Sequence, residues 1–319
     1  MIYICVIAVS VMLYYLSENC KGKRVKIFLI LLSLFITSVF AGVRSYETGT
    51  DIKTYVLYHF DIAKHSSLAA YINAKGTDSI LYSIMIVLVS HVFPNAHWML
   101  FFIQLYINIF FYIAAYQYNK YSQNSGSLFL FVYYCTFYIY TFNIMRQGMA
   151  VAMIVLACVE LVYKRNYRFY LFINILAILM HPTAVICLVI PVLMRLFCSP
   201  KELSKKTLIV SSAVLTITII ITFQFRNVIE TLIALGLVKE RYLYSVTTLL
   251  KDKVNFETYK LLFCILILLL VYRIKNINFK LIKELTIVFL MISFSAYLLG
   301  GVSTFTERIG LYFWMAGLC

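Results

Sequence analysis

Charged side chains are scarce in this chain. Only 13% of its 319 residues are Asp, Glu, Lys or Arg, against 63% hydrophobic and 17% aromatic, and the mean hydropathy is +0.89. A soluble domain is about a quarter charged and about half apolar, so a water-facing globule is excluded. Run length excludes it again. No charge stands between Asp78 and Lys120, room for two membrane segments, or between Glu284 and Glu307, room for one.

Other absences narrow the chemistry. The eight cysteines form no CxxC and no Cys/His metal spacing, and Cys135, Cys158, Cys187 and Cys264 lie inside apolar runs, where Cys acts as a small hydrophobe. Neither disulfides nor a bound metal is expected. There is no GxxxxGK[ST], GxSxG, HExxH or GxGxxG, so ATP-driven transport, esterase, zinc-protease and dinucleotide readings have no support, and no cofactor is implied. Residues Met1 to Leu16 have neither a basic n-region nor a small-residue cleavage site and read as a retained first helix. No repeat, heptad or low-complexity linker divides the sequence.

What remains is an all-α polytopic integral membrane protein of about 10–12 hydrophobic helices, arranged as one domain over residues 1–319. Its last apolar run, Leu311 to Cys319, is too short to span and reads as a chain truncated within a helix or as a short terminal helix. The net charge of +15 is scattered over short loops, which fits the positive-inside rule and not a nucleic-acid groove. Placing Lys21–Lys26, Tyr163–Arg168, Lys201–Lys206 and Arg273–Lys283 in the cytoplasm puts the N-terminus outside. The outer side then holds Arg44, Arg146, His181-Pro182, the loops 44–78 and 224–258, and Glu307-Arg308.

Two places strain this topology. Residues 169–197 number 29, too few for two full spans at about 1.5 Å per residue. They read as two short helices, 169–180 and 183–197, meeting at His181-Pro182 below the outer surface. Parity then requires that 79–93, which ends in His91-Val-Phe-Pro94, dip in from the outer side or lie on it without crossing.

Several outer residues have chemistry to offer. Asp51 follows Gly49 and Thr50, so Thr50 or Asp51 is placed to N-cap a following helix, and a plain capped loop accounts for this stretch equally well. Arg146-Gln147 interrupts an apolar stretch on the side where Arg is disfavoured. It reads as an anion clamp, since a guanidinium offers a fixed fork to phosphate or carboxylate oxygens, or as a snorkelling anchor. His181 is an intramembrane ionisable group and Glu307-Arg308 an adjacent opposite pair; a hydrogen-bonded core His and a helix-end anchor are the plainer alternatives. Glu160 and Lys164 form an i,i+4 pair of structural character. The mixed charges and tyrosines of 224–258 fit an interfacial amphipathic segment or a solvated loop.

Taken in order, these strings resemble a known family. Arg44 through Gly49-Thr50-Asp51 with Tyr55 resembles the first external motif of the EpsG-like, Wzy-type bacterial polysaccharide polymerases. Arg146-Gln147 with Ala150 and Ala152 resembles the second, Ala177 with Met180-His181-Pro-Thr-Ala184 the third, and Arg308 with Tyr312-Phe313 the last. Thr77-Asp78-Ser79 departs from an acidic-Pro-Gly-aromatic signature, and Met180 stands where an aromatic is the pattern.

The resemblance implies a glycosyltransferase of the bacterial inner or plasma membrane, with its active face periplasmic or extracellular. It would join undecaprenyl-pyrophosphate-linked oligosaccharide units into O-antigen, capsule or exopolysaccharide. Membrane lipid, a chain-length regulator and a flippase are the implied partners. Arg44, Arg146, Gln147 and Arg308 become the pyrophosphate-binding set, and His181, Asp51 and Glu307 the candidates to orient or deprotonate the acceptor. A ligase-like transferase using the same donor, and a lipid-linked oligosaccharide flippase, stay open at this point.

Overall fold

A computed structural model describes residues 2–49, 51–75, 79–122, 124–197, 280–300 and 304–317, with Thr231 and Ile265 singly; at 75, 196–197, 280–285, 298–300 and 304–309 only the backbone is described. Every regular element among the described residues is helical. The chain divides into two compact units, Met1–Val185 and Ile186–Cys319.

In the first unit α1 (Ile2–Asn19) and α2 (Lys23–Gly42) are followed by a π-helical turn, Ile52–Leu57, that runs into α3 (Tyr58–Lys64). Next come α4 (Leu68–Lys75), α5 (Ile80–Val92) and α6 (His97–Ser122). Then α7 (Gly126–Tyr133) passes into a second π-helical turn, Tyr134–Tyr138, and a 3₁₀ turn, Tyr140–Phe142, before α8 (Met145–Lys164) and α9 (Tyr167–Met180). Ile2–Asn19, Lys23–Gly42, His97–Ser122 and Met145–Lys164 are long and apolar enough to cross a membrane. Shorter apolar helices occupy 80–92, 126–138, 167–180, 182–195 and 286–297.

Close contacts fix the directions. A Cβ on Gly42 would lie 2.8 Å from that of Phe101, and Asn108 donates to Thr37 and Ser38, so α2 and α6 run antiparallel. Gly148 faces Ile107, and Tyr163 meets Tyr118 and Tyr121, so α8 runs parallel to α6. Lys120 and Lys164 consequently share one end of the bundle, where both approach the Tyr121 ring. Arg44 and Arg146 share the other.

The central helix is α8, with every residue from Gln147 to Leu161 buried. Gly148, Ala150, Ala152 and Ala157 let neighbouring backbones approach closely, the usual way for helices to associate in lipid. The helix ends on Arg165, whose φ of 56° turns the chain, and Asn166 then caps α9 by accepting from the Phe169 N–H at 3.1 Å. The expected ion pair is present: Lys164 Nζ lies 2.9 Å from Glu160.

The chain from Gly42 to His97 leaves and returns at one end, because His97 Nδ1 bonds back to the Gly42 carbonyl at 2.8 Å. The thirteen residues of α5 measure about 20 Å along the axis, short of the roughly 30 Å apolar core of a bilayer. The stretch 44–78, expected as a loop, is largely helical from Ile52 to Lys75. Its apolar positions Ile52, Val56, Phe60 and Ala63 recur at helical spacing and are all buried.

Inside the bundle runs a chain of polar side chains. Ser10 bonds Ser33, Tyr112 and Tyr134; Thr37 bonds Tyr134; Asn108 bonds Thr37; Gln104 bonds Asn108 and Tyr133; and Thr141 donates to Gln104 at 2.9 Å. Each group is partnered, as low-dielectric burial demands.

In the second unit α10 (Val189–Phe197) packs on α11 (Lys280–Gly300), which pairs antiparallel with α12 (Thr304–Gly317). Gly310 lies against Ala296, Gly317 against Phe289, and Ser293 donates to the Gly310 carbonyl. Between the short helices the break falls at the expected step: α9 stops at Met180, His181 is extended, and Pro182–Leu188 form a 3₁₀ run. The loop 224–258, Thr231 apart, lies outside the described residues.

Candidate functional site

The site gathers where residues 44–49 pack against the turn before α8 and its first residue. Gly49 carries φ 108°, and a Cβ there would sit 2.7 Å from Asn143 Oδ1 and 2.8 Å from the Phe142 carbonyl. Only glycine meets both conditions at once, and the fit fastens the loop to the turn before Arg146.

Arg44 is 7% exposed. Its Nη1 donates to the Ala41 carbonyl at 2.8 Å, its Nη2 reaches Met145 Sδ at 3.5 Å, and its guanidinium lies 4.2 Å from the Phe142 ring centre. Among the described residues Nε is buried without a hydrogen-bond partner. Burial pulls the guanidinium down to about 10, against the opposing effect of the Tyr138 and Tyr3 phenols, and the group stays cationic at neutral pH. It is a buried positive charge with no anion beside it among the described residues.

Arg146, one residue beyond Met145, is half-buried. Its guanidinium lies 3.9 Å from the Tyr55 ring centre and 5.7 Å from that of Tyr82. Among the described residues it forms no ion pair and no hydrogen bond. Tyr71 stands within its electrostatic reach: burial pushes that phenol up to about 12 while Arg146 opposes the shift. The charges of Arg146 and Asp51 both act on Tyr82.

Depth can be measured along α6. Gly42 opposes Phe101 and Gly148 opposes Ile107, six residues further on, so Gly148 lies about 9 Å below the end of α2 and Arg146, two residues earlier in a parallel helix, about 6 Å below it. Arg146 thus starts below the end of α2, and Arg44, two residues beyond that end, reaches it through Met145. Tyr46 stacks on His97 at 4.2 Å at the same end.

Asp51 occupies the N-cap position of the first π turn, but its side chain makes no capping hydrogen bond. Its φ of −70° and ψ of −22° are already helical, whereas a capping side chain needs an extended backbone to fold back. Thr50 lies outside the described residues. Gln147 is 2% exposed and points into the bundle core. His181 is half-buried, with Nδ1 2.7 Å from Thr183 Oγ1. Counting back from the α8–α9 turn, His181 lies level with about Ala150, an axial offset of about 6 Å from Arg146. Glu307 and Arg308 begin α12 in the second unit, and their side chains lie outside the described residues.

Sequence reading missed Tyr82 and Tyr71. With 26 tyrosines in the chain, no single one stands out. The two π-helical turns had no signature either, yet one carries Tyr55 under Arg146 and the other carries Tyr138 near Arg44. Such turns are rare and concentrate at functional sites.

Fold and site together define an all-α polytopic membrane protein with Arg44 and Arg146 at the end of the first unit opposite Lys120 and Lys164. The EpsG family profile matches residues 26–319, nearly the whole chain, and the chain belongs to the EpsG family. No curated protein and no solved structure matches it. Membership makes a function of the polysaccharide-polymerase kind, carried out by a membrane protein, the coarse assignment.

Proposed function

We propose that the protein is a glycosyltransferase that polymerises undecaprenyl-pyrophosphate-linked oligosaccharide units on the outer face of the bacterial plasma membrane. The observation that carries this is Arg146: a half-buried guanidinium 3.9 Å from the Tyr55 ring centre, its charge unmatched among the described residues, at the same end as the buried charge of Arg44. The positive-inside rule turns the Lys120–Lys164 end to the cytoplasm and the Arg44–Arg146 end outward. A pyrophosphate supplies the missing anion.

In the reaction the bond between the anomeric carbon and the pyrophosphate oxygen breaks, and an acceptor hydroxyl oxygen bonds to that carbon. The hydroxyl proton goes to a base, and lipid pyrophosphate leaves. Negative charge grows on the leaving oxygen, where Arg146 stabilises it directly and Arg44 through the low-dielectric interior. His181, whose Nδ1 lies 2.7 Å from Thr183 Oγ1, is the proposed group to orient the acceptor or take its proton. Asp51 is the alternative base.

Deletion of the gene tests the class. Loss of a polymerase leaves single repeat units on the carrier or the surface. Long polymer still attached to the carrier would mark a ligase, and units stranded inside the cell a flippase; either result refutes the proposal.

A further inference from the structure

The stack beneath Arg146 assigns a role to a residue that does not itself touch substrate. We infer that Tyr55 is the positioning residue of the Arg146 fork, an inference that rests on the reading of Arg146 as the anion clamp.

A free arginine side chain samples many rotamers, and a fork that points correctly only part of the time binds a two-oxygen ligand weakly. Here the guanidinium carbon lies 3.9 Å from the Tyr55 ring centre. A carbon so close to the ring centre fits a ring against one face of the plane, and no described residue hydrogen-bonds the N–H edges, the edges that two phosphate oxygens need. Tyr55 is itself held. It sits in the π-helical turn Ile52–Leu57, and the Tyr82 hydroxyl donates to the Tyr55 carbonyl at 2.8 Å, tying that turn to α5. Ile52 and Val56, on either side of it in the same turn, are fully buried. The wider turn places Tyr55 differently from the register an unbroken α-helix would give, which accounts for a rare conformation at this point. Arg44 needs no such device, since its two Nη atoms are engaged by Ala41 and Met145.

The test compares Tyr55→Phe, Tyr55→Leu and Tyr55→Met with Arg146→Ala and Arg146→Lys in a strain lacking the gene. Polymer is measured per amount of folded enzyme, the latter by gel filtration of a fluorescently tagged chain. Phe keeps the ring and stays within about twofold of the parent. Leu and Met lose the stack and lower polymer about three- to thirtyfold, the range such a contact covers. In the Arg146→Lys background Tyr55→Leu has less than about a twofold further effect, because the plane it would orient is gone. Parental polymer from Leu, with none from Arg146→Ala, overturns the role of Tyr55 and leaves the clamp standing. A Phe variant as weak as Leu overturns it too, as does an undiminished Leu effect in the Lys background. If neither Leu nor Met yields folded protein while Phe does, the ring serves the fold and the inference fails. Parental polymer from Arg146→Ala would instead remove the reading beneath it.

Discussion

Replacing Arg146 by Lys separates the two things an arginine at this place can do. An interfacial anchor needs a positive tip on a long stem, and Lys supplies both. A clamp on pyrophosphate needs a planar fork whose parallel N–H bonds fix charge and direction together, which an ammonium cannot give. The geometry favours the second demand. Arg146 is half-buried about 6 Å below the end of α2, its guanidinium carbon lies 3.9 Å from the Tyr55 ring centre, and no carboxylate among the described residues competes for it. A charge-assisted hydrogen bond contributes about 1.5–3 kcal/mol. Losing one through Lys should slow turnover by about ten- to more than a hundredfold, and losing the whole fork through Ala by more. The assay is polymer amount and chain length in a deletion strain complemented with each variant, at matched membrane levels. Strong loss in both variants is expected. Near-normal polymer from Lys with none from Ala would show that charge alone suffices and would refute the bidentate role.

Three further outcomes follow from the packing. A cysteine at Thr183, in a background free of native cysteine, should react with an impermeant thiol reagent from outside; labelling from the cytoplasm alone would invert the topology. Gly148→Val should lower the detergent melting temperature by several degrees, since a Cβ there already meets Ile107 and Thr141 at 3.3 Å and overpacking costs about 1–3 kcal/mol. An unchanged melting point would contradict the α6–α8 contact. Gly49→Ala should reduce polymer strongly while the protein still inserts, because the added carbon would strike Asn143 and the Phe142 carbonyl at a φ of 108°; parental polymer would show that the loop is not fastened there.

Much of this was legible in the residues themselves. The basic loops set the direction of the helices and, with 79–93 kept from crossing, bring Arg44 and Arg146 to one end. Pro182 marked the break after α9, because a residue preceding proline is kept out of the helical region. Within 44–78, which reads as loop in the sequence, Ile52–Lys75 is largely helical: its few apolar positions lie among polar ones, and only packing on α5 makes them a buried face. The polar chain from Ser10 to Thr141 was invisible for a different reason. Serine, threonine and asparagine scattered through apolar runs carry no period, and they become a network only when four helices bring them together. The π turns depend on tertiary fit in the same way, so the placement of Tyr55 under Arg146 had no counterpart in the one-dimensional pattern.

The central claim is that Arg146 holds the pyrophosphate of a lipid-linked donor, and direct binding tests it. Purified protein, as parent and as Arg146→Ala, is titrated with undecaprenyl pyrophosphate and with undecaprenyl monophosphate, and bound lipid is counted by native mass spectrometry. The parent should prefer the pyrophosphate, and Arg146→Ala should bind it about tenfold or more weakly with the preference lost. Equal pyrophosphate binding by both proteins would contradict the account.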